Sequence, residues 1–146
     1  MERRELPKPT RRVVRSAALV VSMAALQALP LAAVAQASAA ADDAAQVAHG
    51  QRLFMRCTAC HDVAAGSAPK VGPTLHGLFG RRVASVPGFN YSDSLKSQSF
   101  EWDDTMLARW VESPVAVAPG TIMGFIGLPN PADRQALIAY LRQATR

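Results

Sequence analysis

Only two cysteines and three histidines occur among the 146 residues. A structural zinc site needs four Cys or His ligands at characteristic spacings. Beyond Cys57, Cys60 and His61 only His49 and His76 remain, and neither is spaced as a zinc pair. No segment alternates apolar and polar residues as a half-buried strand does, and no internal repeat is present. The βαβ setting of a thioredoxin-like dithiol is therefore missing. These absences point to an all-α domain whose cysteines serve neither zinc nor dithiol exchange.

The charge is unevenly placed. Arg3, Arg4, Lys8, Arg11, Arg12 and Arg15 form a basic leader, and Ser16 to Ala35 is an uncharged run rich in Ala, Leu and Val. Ala33-Val34-Ala35 and Ala37-Ser38-Ala39 both have the A-x-A form of a cleavage site. This is the plan of a secretory signal peptide over residues 1–41. A retained membrane anchor is the competing reading, since 20 uncharged residues can just span a bilayer; Pro30 and the alanine-rich cleavage region favour removal. Without the leader, residues 42–146 hold 10 basic and 9 acidic side chains. A nearly neutral domain lacks the basic footprint of a nucleic-acid binder. Export implies the periplasm and a mature chain that does not span the membrane, with a membrane-anchored form as the other case. About 105 residues make one small domain with a thin core, and with so few cysteines something else must supply part of that core.

The mature segment reads as short helices joined by long loops. Asp42 and Asp43 are suited to cap a helix with Val47, Gly50, Phe54 and Cys57 facing inward. Ala64 to Gly88 is loop-like, with Pro69, Gly72, Pro73, Gly77, Gly80, Pro87 and Gly88 spread through it. So long an irregular stretch is unusual in a compact domain unless it wraps around an object. Asp103 or Asp104 opens a second helix with Met106, Leu107, Trp110 and Val111 on one face, and Pro114 stops it. Residues 113–132 carry no charge. Asn130-Pro131-Ala132-Asp133 starts the last helix, with Asn as cap, Pro at the first position and an acid in the first turn. That helix buries Leu137, Ile138 and Leu141, with Tyr140 beside them.

Residues 57–61 read CTACH. A plain disulfide would leave His61 without a role, whereas C-x-x-C-H is also the signature of covalent c-type haem attachment. Cys57 and Cys60 lie on one side of a helical turn, within reach of one porphyrin edge, and His61 can turn its imidazole under the iron. Export and a loop-rich body add weight to the haem. A sixth ligand is then expected, methionine or histidine for electron transfer and an open position for catalysis or ligand binding. Met55 is too close to Cys57, and Met106 lies on an apolar helix face. Met123, in the uncharged PGTIMGF loop, can swing over the opposite haem face. His76 is the rival, only three residues after Pro73.

With CTACH, KVGPTLHGLFGR and PGTIM in this order, the chain resembles a class I cytochrome c, of the bacterial type close to mitochondrial cytochrome c. The likeness runs from Ala44 to Arg146 and includes GQRLFMRCTACH, VPGFNYSD, Trp102 and LIAYLRQAT. It implies a small all-α cytochrome c fold around one covalent haem c, with the first and last helices crossing at Gly50 and Tyr140. It implies thioethers at Cys57 and Cys60, and His61 and Met123 as axial ligands. By the same likeness the Pro73 carbonyl accepts from the His61 ring, and Arg81, Tyr91, Trp102 and Thr121 surround the haem propionates. Leu75 and Phe125 flank the macrocycle. The expected function is a single-electron carrier, not an enzyme, acting as a monomer on which redox partner proteins dock transiently at the haem edge. A haem enzyme or sensor with a displaceable methionine, and a dedicated subunit of a periplasmic dehydrogenase, are the competing functions. The chain departs from the family at Trp110, where a tyrosine is usual, and at Leu95, where asparagine is common. Val115, Ala116 and Ile122 stand where mitochondrial relatives carry partner-docking lysines.

Overall fold

The computed structural model describes residues 29–146. The leader and most of the uncharged run read from the sequence lie outside the described residues. The chain divides into two compact units, the second being Ala39–Arg146; the account below concerns that unit. Five helices are present among the described residues: α1 (Leu29–Phe54), α2 (Asp93–Lys96), α3 (Asp104–Glu112), α4 (Pro114–Val117) and α5 (Pro131–Ala144). There is no strand among them, only an isolated bridge between Arg82 and Glu101. No helix among them is long and apolar enough to cross a membrane. The fold is the small all-α arrangement that the sequence implies.

Local chemistry sets several helix starts. The Asp103 carboxylate accepts from the Met106 N–H at 2.7 Å, and the Asn130 side chain accepts from the Ala132 N–H at 2.9 Å. Each satisfies a donor that the first turn cannot pair internally. Ser92 does the same for the Leu95 N–H at the head of α2. Pro114 ends α3 and at the same time opens α4, where its missing N–H costs nothing. Asp42 and Asp43 differ from expectation: they lie inside α1 and do not cap it. The alanine-rich stretch before them carries strong helix propensity and continues the helix toward its N-terminus.

The core closes where α1 meets α5. A side chain at Gly50 would run into the Ala136 carbonyl oxygen and lie 2.8 Å from the Tyr140 Cβ. Only glycine lets the two backbones approach this closely. Phe54 stacks at a tilt on Tyr140, ring centroids 5.4 Å apart, and His49 Nε2 lies 2.8 Å from the Asp133 carboxylate. Trp102 meets Trp110 edge-on at 5.6 Å and Phe100 at 4.9 Å. Leu107, Val111, Leu137 and Leu141 are buried around them.

Residues 61–92 form no helix and are held by long-range bonds instead. The Gly77 N–H donates to the Thr145 carbonyl, that of Gly80 to Trp102, and that of Val83 to Phe100. In the segment after α4, Thr121, Met123 and Phe125 are half-buried, Ile122, Gly124 and Ile126 are exposed, and the Phe125 N–H donates to the Met123 carbonyl at 2.9 Å. Gly127 then turns inward at φ +106, where a Cβ would strike the Glu112 carbonyl.

Candidate haem site

The end of α1, the 61–92 loop, α2, α3, α5 and the 121–125 segment line one cavity of about 240 Å³. Its walls are mostly apolar. All eleven residues singled out in the sequence line it: Cys57, Cys60, His61, Pro73, Leu75, Arg81, Tyr91, Trp102, Thr121, Met123 and Phe125.

The chain reaches Cys57 through hydrogen-bonded turns that continue past α1. The Cys60 and His61 N–H groups both donate to the Cys57 carbonyl, at 3.1 and 2.8 Å. This winding puts the two thiols on the same side as the His61 ring. The two sulfurs are not joined to each other as a disulfide. Burial pushes the Cys57 thiol pKa up, the nearby Cys60 adds to the rise, and Arg56 opposes it.

The His61 ring is fixed on two sides. Its Nδ1 lies 2.8 Å from the Pro73 carbonyl oxygen, and since a carbonyl can only accept, Nδ1 carries the proton. Gly72 packs against the ring so closely that a Cβ there would sit 2.5 Å from Cε1. Burial holds the imidazole below the usual histidine pKa, against the opposing pull of the Pro73 carbonyl, and the Lys70 charge lowers it further. The neutral ring therefore keeps a free lone pair on Nε2, which takes no hydrogen bond among the described residues. Such a nitrogen is ready to ligate a metal.

Met123 lines the same cavity from the 121–125 segment, and its N–H donates to the Thr121 hydroxyl at 3.3 Å. The other candidates are elsewhere. Met55 is exposed, Met106 is half-buried on α3 outside the cavity, and His76 does not line it. The buried His76 Nδ1 has no hydrogen-bond partner among the described residues.

The polar wall is more specific than the sequence suggests. Arg81 donates through Nη1 to the His76 carbonyl at 2.7 Å and through Nη2 to the Thr74 carbonyl at 2.9 Å, so it organises the loop as well as facing the cavity. Burial lowers its pKa, and burial raises that of Tyr91, whose hydroxyl accepts from the Val86 N–H at 3.3 Å. Trp110 and Leu95, the two departures noted above, both reach the cavity. Arg56, Phe89 and Ser92 line it too and were not anticipated. Arg56 adjoins Cys57 and the other two flank Tyr91, so proximity to predicted residues is the one signal that pointed to them.

Two thiols and a clamped neutral histidine on an apolar cavity wall, with a thioether also lining it, are a donor set that fits covalent haem. The cytochrome c family model matches residues 47–145. The chain belongs to the cytochrome c family. Cytochrome c2 of Rhodomicrobium vannielii is 43% identical over 104 residues, covering 71% of this chain and 83% of its own. Cytochrome c of Arabidopsis thaliana is 46% identical over 98 residues, 66% of this chain and 88% of its own. Cytochrome c2 of Rhodoblastus acidophilus is 42% identical over 94 residues, 64% and 88% respectively. Cytochromes c bind one covalent haem c, and CTACH in this member has the C-x-x-C-H form of the attachment site.

Proposed function

We propose that this cytochrome c is a single-electron carrier of a periplasmic chain, with Cys57 and Cys60 as the thioether positions and His61 and Met123 as the axial ligands. Bound haem supplies an iron that alternates between the ferric and ferrous states. Residues 1–41 act as a signal peptide removed on export, and 42–146 form the monohaem domain.

One observation carries the reading: Met123 and the Pro73-clamped His61 line the same cavity as the two cysteines. His61 holds its proton on Nδ1 and offers Nε2. The second bond of the ring raises the basicity of the ligating nitrogen. Met123 offers a soft thioether, which favours the ferrous state and raises the potential. Arg81, Tyr91, Trp102 and Thr121 are placed to meet the propionates, and Leu75 and Phe125 the macrocycle. With His61 and Met123 both holding the iron, little would rearrange between redox states, which suits a carrier more than a catalyst.

The test is the absorption spectrum of the oxidised protein. A methionine-to-iron charge-transfer band is expected in the wild type. It should vanish in Met123→Ala, with a lower reduction potential, and persist in Met55→Leu and Met106→Leu. Persistence of the band in Met123→Ala would overturn the ligand assignment.

The partner surface is apolar. Val71 and Ile122 line the cavity and are 81% and 71% exposed; Val115 is 58% and Ile126 99% exposed. Redox partners accordingly dock through apolar contact, without a ring of lysines to steer them. Electron-transfer rates with the native partner are expected to change less than about threefold between low and high salt, against the roughly 10–10³-fold span of electrostatic steering. Stopped-flow kinetics across ionic strength checks this, and a steep decline with salt would contradict it.

A further inference from the structure

Beyond the axial ligands and Pro73, one side chain outside the cavity wall is committed to the attachment turn. We propose that Lys70 is a positioning residue for His61, strapping the 57–61 turn from its backbone side. This rests on the reading of His61 as a ligand.

Carbonyls beyond the end of a helix have no intrahelical donors, and this turn follows directly on α1. Its later carbonyls are met by residues 70–73. Lys70 Nζ donates to the Thr58 carbonyl at 2.8 Å and to the His61 carbonyl at 3.2 Å. The Gly72 N–H donates to the Cys60 carbonyl at 2.8 Å, and the Pro73 carbonyl accepts a hydrogen bond from His61 Nδ1. Lys70 Nζ also lies 3.4 Å from the Asp62 carboxylate. An ammonium has three donors, and here three protein acceptors surround it, so Lys70 is no freely solvated surface charge. Asp62 is itself anchored, accepting from the Val63 and Ala64 N–H groups at 2.8 and 3.2 Å.

The strap thus grips His61 at both ends. Pro73 and Gly72 set the ring, while Lys70 sets the peptide that carries it. A fixed positive charge beside that peptide also disfavours further positive charge at the site, which favours the reduced state.

The experiment compares the haem-loaded wild type with Lys70→Met and Lys70→Arg by native-state hydrogen exchange and by redox titration. In Lys70→Met the Cys60, His61 and Gly72 amides should exchange about tenfold faster, the scale of one charge-assisted hydrogen bond at a partly exposed site. The α5 amides should be unchanged and the reduction potential should fall. Lys70→Arg, which keeps charge and donors, should restore both. Turn exchange unchanged in Lys70→Met would overturn the proposal, as would equal acceleration in α5. Exchange reports on the turn whether or not His61 binds iron, so failure of the ligand reading appears separately, as a missing charge-transfer band in the wild type.

Discussion

The double variant Cys57→Ala/Cys60→Ala is expected to yield a chain whose intact mass lacks the haem and which is largely unfolded at room temperature. The cavity these cysteines border is about 240 Å³ and mostly apolar. At about 24 cal/mol per Å³ of unfilled space, leaving it empty costs on the order of 6 kcal/mol. A domain of this size has about 5–15 kcal/mol in total. Trp102, Leu107, Trp110, Leu137 and Leu141 line the cavity from the core side, so the cofactor is part of the core. Single replacements, keeping one thioether, should retain haem with reduced stability. Mass spectrometry with circular dichroism checks both. A folded double variant with the thermal midpoint of the wild type would mean that the cavity is not completed by a covalent group.

The second large effect is at Gly50. Gly50→Val places its side chain against the Ala136 carbonyl and the Tyr140 Cβ. The obstacle is helix backbone, which cannot rotate away as a side chain can. A cost of about 3 kcal/mol, at the upper end of ordinary overpacking, is expected. For a domain of about 105 residues this lowers the melting midpoint by roughly 15 °C. The ring pair Phe54–Tyr140 and the His49–Asp133 contact sit at the same crossing and would be lost with it. Phe54 lines the haem cavity, so the oxidised spectrum should change as well. Thermal unfolding of the haem-loaded variant measures this, and a midpoint within a few degrees of the wild type would contradict the close approach.

CTACH was legible because its chemistry is written within five residues, whereas Met123 was read from its uncharged loop and the Pro73 partner from the family likeness. Helix starts at Asp103 and Asn130 were legible for the same reason, since a cap and the backbone N–H that donates to it lie within three residues. The single-turn helices α2 and α4 were not, because four residues are too few to display a 3.6-residue period. Asp42 and Asp43 lie inside α1 in the full chain because the alanine-rich residues before them continue the helix; with residues 1–41 removed they would stand at its start. Contacts made only on tertiary closure were beyond sequence reading. Arg81 bonding the Thr74 and His76 carbonyls, His49 meeting Asp133 across 84 positions and Lys70 spanning Thr58 and His61 are of this kind. What sequence pattern does carry is the identity of the groups; the positions of their supports depend on the fold.

The proposed carrier needs His61 and Met123 both to hold the iron. Exposure of the reduced, haem-loaded protein to carbon monoxide tests it directly, followed by visible absorption. With His61 and Met123 both holding, the spectrum stays unchanged at neutral pH, while Met123→Ala binds the gas and shifts. Ready binding by the wild type would contradict the account and favour a sensor or catalyst with a displaceable methionine.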